Sequence, residues 1–435
     1  MYTVKQVPRM KMMKVFLVAL CRTMLASAFW LSIRLSNSLT IHGADYDRGA
    51  PRTYLGMTHK RDIDPFILVP IVIFHRGWKA LAGNVRFVLR GDGFTRGFLA
   101  RMVRRPAWIA WLLRPFSVGP VLRWLGTYPT DGLLRPAEEW VREVLQVDGD
   151  ADAETILSPA FLQDFAQAAH LPAGQVRDFP LSRLLKWRYH TALQRFYGPE
   201  MLLKSKRRRI ERHVVERIHT QLDEIVACLW QDGSIFGSPE GQLSPDGHVS
   251  LLHAGFHRIL RLAPPDLRIM PVTLIYDFMT TGRTRIFVDF APAIEYAPKL
   301  PQKVLDDQLR RSWLQYAHFT CTQLASGFLM ERRRSPDQEF TLYDLAHAIY
   351  QQASDLAAAG RQVDPRLLHP TGATRRARRY LAYIEHRGLI RRCSPESWII
   401  CFDRLVIEVG PREVAYADVP LLYAYNELQD LLSGP

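Results

Sequence analysis

The segment with the clearest chemical potential lies at residues 58–65, with the sequence THKRDIDP. An apolar run before it predicts a strand that ends near His59, and Asp64 followed by Pro65 predicts a helix with Asp64 as its N-cap. Such a short loop lets the carboxylate fold back onto one imidazole nitrogen. Asp64 would fix the tautomer of His59 and leave the other ring nitrogen free as a general base. The nucleophile would be a hydroxyl or amine of the substrate, and the helix N-terminus could offer N–H groups to a developing oxyanion.

On this segment alone, a helix cap beside an incidental loop histidine is the competing interpretation. A second segment, residues 238–244 with the sequence SPEGQLS, follows a predicted strand at 234–236 and bears on the choice. Its position well downstream of His59, after a hydrophobic strand, makes the joint pattern more specific than either segment alone.

Together the two segments resemble the glycerolipid acyltransferase superfamily, which includes lysophosphatidate and glycerol-3-phosphate acyltransferases. That family has a His-x4-Asp block, a block ending in arginine, a Pro-Glu-Gly block and a proline-bearing strand. The matching residues are His59 and Asp64 in the first block, Pro239, Glu240 and Gly241 in the third, and Pro271 in the fourth. The resemblance spans about residues 39–297 and is interrupted by a long helical insertion before the third block.

The resemblance implies that His59, supported by Asp64, deprotonates an acceptor that attacks the thioester of acyl-CoA or acyl carrier protein. These donors would be co-substrates, and neither a cofactor, a metal ion nor a covalent acyl-enzyme is expected. The resemblance also implies a set of substrate-binding residues: Gly126, Arg135, Pro239, Glu240, Gly241, Ser244 and Pro271.

Two departures from the family pattern affect the expected acceptor. The second block aligns with residues 126–132 and has no arginine before Arg135, and residues 242–244 read Gln-Leu-Ser where the family has Thr-Arg-Ser. Because arginine binds phosphate with two parallel hydrogen bonds, both expected phosphate ligands are missing. The acceptor would then be a neutral or zwitterionic alcohol or amine rather than glycerol-3-phosphate or lysophosphatidate, unless Arg135 or the basic run at 204–212 supplies the charge.

The charge balance favours an anionic partner. The 435 residues include 57 Lys and Arg against 43 Asp and Glu, a formal net charge of +14. An acidic membrane surface, the phosphates of CoA and the acidic face of acyl carrier protein all fit this excess. The five cysteines include no CxxC pair, so a disulfide scaffold or zinc ribbon is not expected and a reducing compartment is favoured.

The N-terminal segment is basic up to Lys14 and apolar from 15 to 35. A signal peptide cleaved near residues 26–28 is disfavoured, because the apolar pattern continues beyond that position. A single membrane span, an interfacial helix and a buried helix all remain open. The expected location is the cytoplasmic face of a membrane, with the basic flank against anionic lipid.

Strands alternating with helices predict an α/β fold with a mixed sheet flanked by helices. The expected domains are an N-terminal helix at 1–38, an acyltransferase domain at 39–335 with a helical insertion at about 136–230, and a C-terminal domain at 336–435. In that last part, helices at 340–359 and 374–387 and a hairpin at 398–402 and 405–409 suggest a winged-helix-like module.

Two other signals carry less weight. His253 and His257 are four residues apart on a predicted helix, but no nearby carboxylate in the sequence completes a metal site. The run at 375–379, RRARR, invites a nucleic-acid-binding hypothesis, yet no recognition helix stands out, so nucleic acid is not the expected partner. The alternative to an enzyme is a catalytically idle or basic protein that binds nucleic acid or membrane through its C-terminal module.

Overall fold

The described part of the computed structural model comprises residues 9–47, 49–61, 63–77, 80, 85–90, 107–113, 116–130, 132–241, 243–244, 246–298, 300–334, 338–401 and 420–434. The chain divides into two units: Met1–Phe87 with Cys228–Pro435, and Val88–Ala227. The helical insertion expected at 136–230 therefore belongs to a unit that begins earlier in the chain, at residue 88.

The helices, in chain order, are α1 (Arg9–Ser36), α2 (Asp64–Arg76), α3 (Ala107–Leu113), α4 (Gly119–Trp124), α5 (Ala137–Asp148), α6 (Ala153–Ile156), α7 (Pro159–Ala168), α8 (Ala173–Arg177), α9 (Leu181–Leu184), α10 (His190–Leu193), α11 (Lys204–Trp230), α12 (Ala254–Leu262), α13 (Gln302–Tyr316), α14 (Cys321–Arg334), α15 (Leu342–Ala358), α16 (Pro370–His386) and α17 (Pro420–Ser433). The strands are β1 (Asn37–His42), β2 (Thr53–Met57), β3 (Val85–Arg90), β4 (Thr127–Thr130), β5 (Arg135–Pro136), β6 (Phe196–Tyr197), β7 (Ser234–Gly237), β8 (Arg268–Asp277), β9 (Thr284–Phe290), β10 (Ile294–Glu295), β11 (Glu339–Thr341), β12 (Ile390–Arg392) and β13 (Ser397–Ile400).

A mixed sheet forms the centre of the first unit, with the strand order β1-β9-β8-β2-β7-β3. Strand β2 pairs in parallel with β7 and β8, β3 pairs in parallel with β7, and β9 pairs antiparallel with β8. Parallel strands need crossover connections and are normally covered on both faces, which explains why β2 and β7 are buried along their whole length. The predicted α/β class with a mixed sheet flanked by helices is confirmed, and the structure shows that the sheet is mostly parallel.

Helix α1 packs one narrow face against the protein, and much of its remaining surface is exposed. Ala26 and Ile33 are buried, and Phe29 contacts Phe66 of α2 edge to face with ring centroids 5.0 Å apart. Its segment Val15–Ser36, with a mean hydropathy of 1.8, is the one helix in the described chain that is long and apolar enough to cross a membrane. By length and composition alone, α1 is therefore consistent with membrane association.

The C-terminal residues share the core of the first unit and do not form a separate body. Leu345, Tyr380 and Leu421 belong to the same buried apolar cluster as Ile275 and Phe287 of the central sheet. The compact units therefore do not divide at residue 336. Strand β13 pairs with β11 and β12, and the second strand expected at 405–409 lies outside the described residues.

The second unit has its own helical core. Trp140, Phe165, Leu181 and Leu193, from four different helices, are almost completely buried together. The indole N–H of Trp140 donates to the carbonyl of Tyr197 at 2.9 Å, which ties α5 to the short β5–β6 pair. The described residues of this unit are predominantly helical.

Candidate active site

The two chemically informative segments meet at one edge of the central sheet. His59 follows β2 and Glu240 follows β7, and the carboxyl ends of parallel neighbouring strands lie side by side. The backbone N–H of His59 donates to Glu240 Oε2 at 2.7 Å, and the N–H of Ser244 donates to the His59 carbonyl at 2.9 Å. Residues 181 positions apart in the sequence thus form one hydrogen-bonded structure.

The predicted histidine–carboxylate pair is present. His59 Nδ1 lies 3.1 Å from Asp64 Oδ2. The Asp64 side chain is completely buried, whereas the His59 side chain retains about 20% of its exposure. This arrangement leaves Nε2 as the nitrogen through which the ring can exchange a proton with a substrate.

Asp64 has more partners than the sequence suggests. Its Oδ2 also accepts the backbone N–H groups of Lys60 at 2.6 Å and Arg61 at 2.8 Å, and the Tyr276 hydroxyl donates to Oδ1. The carboxylate therefore closes the loop as well as orienting His59. Tyr276 lies near the end of β8, far away in the sequence, and no local signal identifies it.

The predicted N-cap role of Asp64 is wrong. Asp64 is the first residue of α2 and Ile63 precedes the helix without a side-chain capping bond. The N–H groups of Phe66 and Ile67, which a capping carboxylate would need, donate instead to the Ile63 carbonyl. The Asp64 carboxylate consequently turns back toward the loop that carries His59.

Glu240 is buried between the two loops. It is 2% exposed, and its second oxygen, Oε1, accepts the N–H of Ser250 at 2.8 Å. Burial raises the pKa of Glu240, opposed by Lys60 and by the N–H donors of His59 and Ser250. Both carboxylate oxygens hold backbone, so Glu240 positions the His59 loop.

Helix α17 fixes the same loops from another side. Lys60 Nζ donates to the Gly247 carbonyl at 3.0 Å and lies 3.5 Å from Glu427 Oε1, and both side chains are buried. Burial by itself would lower the pKa of Lys60, but the Tyr423 hydroxyl and the carboxylates of Glu427 and Glu240 outweigh it and raise the pKa. The sequence analysis did not identify Lys60 or Glu427 as site residues.

The turn after Pro239 needs glycine. Gly241 has φ of +70°, and a Cβ there would lie 3.0 Å from His253 Cβ. Pro239 itself is buried against Gly56, where a Cβ would be 3.0 Å from the proline ring. Each residue of the Pro-Glu-Gly sequence thus has its own structural role. Pro239 packs closely on β2, Glu240 is a buried hydrogen-bond acceptor, and Gly241 forms a left-handed turn.

Ser244 and Pro271 both make hydrogen bonds with the backbone of neighbouring segments. The Ser244 hydroxyl donates to the His248 carbonyl at 2.7 Å and accepts the Gly247 N–H at 3.1 Å. Pro271 lies within β8 opposite Gly56, and its carbonyl accepts the N–H of Ala291 at 3.0 Å. Both residues are buried, and the hydrogen bonds described here stabilise the protein itself. Their contact with substrate stays a prediction.

Gly126 and Arg135 belong to the second unit. Gly126 follows α4 with φ of +81°. Arg135 Nε donates to the Gly132 carbonyl at 3.1 Å, and the guanidinium lies 3.6 Å from Glu139 and 3.5 Å from Glu143. The charge of Arg135 is therefore balanced by carboxylates within its own unit.

The two histidines near α12 have separate partners. His253 precedes α12 and its Nδ1 accepts the N–H of Gly255 at 3.1 Å, so it caps the helix. His257 Nε2 lies 3.4 Å from Asp306 Oδ1, a carboxylate that the sequence analysis did not place nearby.

A search of protein-family models and of curated proteins finds no match to this chain.

Proposed function

We propose that the protein is a membrane-associated O-acyltransferase that moves a fatty acyl chain from acyl-CoA or acyl carrier protein to a hydroxyl of a lipid-type acceptor. The observation that carries the proposal is the partly exposed His59 imidazole bound to the buried Asp64 carboxylate at the carboxyl edge of the parallel strands. The resemblance of the His59 and Pro239 segments to the glycerolipid acyltransferase superfamily supports the same chemistry.

The reaction needs one protein base and no covalent acyl-enzyme intermediate. His59 Nε2 takes the proton of the acceptor hydroxyl as the oxygen attacks the thioester carbonyl carbon. The tetrahedral intermediate then expels the thiolate, which takes the proton back from the imidazolium, so that an ester and a free thiol leave. Asp64 stabilises the imidazolium, and general-base catalysis of this kind contributes about 10²–10⁴-fold in rate.

The charges around His59 support a neutral or zwitterionic acceptor. Lys60 is buried and paired with Glu427, so a substrate phosphate would have to displace that partner. The Arg61 guanidinium lies over the ring of Tyr276, 4.1 Å from its centroid. Arg135 is paired with its own carboxylates, as described above. Phospho-acceptors are therefore a necessary part of the assay.

Membrane attachment fits the apolar donor and product. The outer face of α1 exposes Phe16, Leu31 and Leu35 at 59–63%, and the chain carries a net charge of +14. An apolar helix face combined with positive charge binds anionic bilayers whether the helix lies in the interface or crosses the membrane. The cytoplasmic face is the side that supplies acyl-CoA and acyl carrier protein.

The test is thiol release from palmitoyl-CoA and from palmitoyl-acyl carrier protein by the purified full chain. The acceptors are glycerol-3-phosphate, lysophosphatidate, lysophosphatidylcholine, a monoacylglycerol and a long-chain alcohol. Acceptor-dependent release should fall by at least about 100-fold in His59→Ala and stay unchanged in His347→Ala, which removes an exposed histidine of α15. Release that is equal in both variants would overturn the proposal.

A second candidate is nucleic-acid binding by a winged-helix-like module. The sheet order β11-β13-β12 beside α15 and α16 is consistent with such a module, and Arg375, Arg378 and Arg379 are exposed on α16. In contrast, Arg376 is buried in an ion pair with Asp277 of β8, which ties α16 to the sheet. Duplex affinity that falls steeply between about 50 and 200 mM salt and is unaffected by His59→Ala would favour this candidate.

A further inference from the structure

A second cluster of titratable side chains lies on β1 and β9. His42 is the last residue of β1 and is paired in register with Asp289 of β9. His318 lies in the connection between α13 and α14. No role in the acyl-transfer chemistry proposed above requires any of the three.

The three side chains converge on one point. His318 Nδ1 lies 2.7 Å from Asp289 Oδ1, and the backbone N–H of His318 donates to Asp289 Oδ2 at 3.1 Å. The rings of His42 and His318 have centroids 4.2 Å apart. One nitrogen or oxygen atom from each of the three residues lies within 4.8 Å of the other two.

The cluster contains a polar atom without a partner. His42 Nε2 is buried and has no hydrogen-bond partner among the described residues. A buried ring nitrogen left in this state destabilises the fold unless something binds it.

The side chains of Asp289 and His318 are held in place by burial and ring stacking. Asp289 is 1% and His318 2% exposed, and the His318 ring stacks on Phe287 with centroids 4.6 Å apart. Partly exposed His42 leaves a route from solvent.

We propose that His42, Asp289 and His318 bind a divalent transition metal ion, with Zn²⁺ the best match to two imidazoles and one carboxylate. Three protein ligands leave a fourth tetrahedral position for water. Each imidazole would bind the metal through the ring nitrogen that carries no proton. The site joins the β1–β9 edge to the α13–α14 connection and is independent of the proposed acyl transfer.

The test is zinc binding by the purified full chain after chelation and removal of any affinity tag. Isothermal titration calorimetry should show one Zn²⁺ per chain, and Co²⁺ should give the visible absorption of a four-coordinate site. His42→Asn should weaken binding by at least about 100-fold, the upper end of the effect of losing an outer-shell partner. Zn²⁺ should raise the midpoint of thermal unfolding in the wild-type chain and not in His42→Asn.

His257→Asn is the matched control, because it removes a buried histidine that faces a carboxylate, Asp306. It should leave zinc affinity unchanged. Cys393→Ser, which removes the exposed thiol, should also leave it unchanged. The proposal is overturned if the wild-type chain binds no Zn²⁺ at micromolar concentration or if folded His42→Asn binds it with wild-type affinity.

Discussion

The sharpest test of the site is Asp64→Asn, which changes the charge of one buried side chain and little else. The carboxylate Oδ2 accepts the N–H groups of Lys60 and Arg61 and lies 3.1 Å from His59 Nδ1. An asparagine oxygen in that position can accept the same groups. Its amide then faces the Tyr276 hydroxyl, which can rotate from donor to acceptor. The loop should therefore keep its conformation while the negative charge disappears.

The expected loss of activity can be estimated from two limits. A hydrogen bond to a charged group contributes about 1.5–3 kcal/mol, which sets the lower limit near 1.5 kcal/mol. The attraction between an imidazolium and a carboxylate 4 Å apart is about 4 kcal/mol at an effective dielectric constant of 20. At about 1.36 kcal/mol per tenfold, kcat should fall between about tenfold and about 1,000-fold.

The assay is single-turnover thiol release with the preferred acceptor, beside circular dichroism and urea unfolding to show that the variant is folded. Because Asp64 acts through His59, the double variant His59→Ala/Asp64→Asn should be no slower than His59→Ala alone. A folded Asp64→Asn chain with wild-type kcat would refute the reasoning. So would a double variant slowed by the product of the two single effects, since Asp64 would then act independently of the imidazole.

Three further predictions concern the residues around this loop. Glu427→Gln should lower the free energy of unfolding in urea by about 3–5 kcal/mol, because it leaves Lys60 buried without its counter-charge. The addition of Lys60→Met should recover part of that loss, and a purely additive result would contradict the pairing. Gly241→Ala should cost about 1–2 kcal/mol because φ is +70°, whereas Gly174→Ala, with nothing within 4 Å of its new Cβ, should cost nothing. Partial burial lowers the pKa of His253, so the unfolded chain binds more protons than the folded chain just below about pH 6.5, and stability falls as the pH is lowered through that window. His253→Asn, which keeps a capping acceptor for Gly255, should reduce this slope in urea titrations, and an unchanged slope would exclude His253 as its source.

The His59–Asp64 contact could be predicted because it is local. Only six residues, 58–63, separate the end of β2 from the start of α2, which leaves few paths for the chain. The strand and the helix on either side both have strong sequence signals. The same is true of the alternation of strands and helices, from which the α/β class follows. The error in the N-cap assignment was also local: Asp64 and Pro65 suit a cap, but the Ile63 carbonyl takes the N–H groups that the carboxylate would need.

The remaining partners could not be predicted because they come from distant parts of the chain. Tyr276 and Glu427 reach the His59 loop only after the strand order is set, and local periodicity does not determine strand order. Glu240 was expected in the same site from the family resemblance, which did not indicate that its carboxylate holds the backbone of the His59 loop. Arg135 is different. Glu139 and Glu143 follow it at helical spacing. That pattern indicates that Arg135 forms ion pairs within the protein rather than binding a substrate phosphate.

The proposed contact of α1 with a membrane gives a final prediction. Phe29 of α1 packs on Phe66, two residues after Asp64, so the helix that exposes apolar residues also covers the helix that carries the carboxylate. Its outer residues Leu31 and Leu35 are about 60% exposed. Burial of each leucine in lipid contributes about 1.5–3 kcal/mol, so Leu31→Glu/Leu35→Glu should weaken binding to anionic vesicles by at least about 100-fold.

Vesicle sedimentation measures that binding, and thiol release with a micelle-free short-chain donor measures the chemistry separately. The control Tyr343→Glu makes the same kind of change at a residue of α15 that is 74% exposed, and it should sediment like the wild-type chain. Equal vesicle binding by all three chains would show that α1 is not the membrane contact. Loss of activity with the soluble donor would show that the outer face of α1 supports the site itself, because the chemistry at His59 should not require lipid once the donor is soluble.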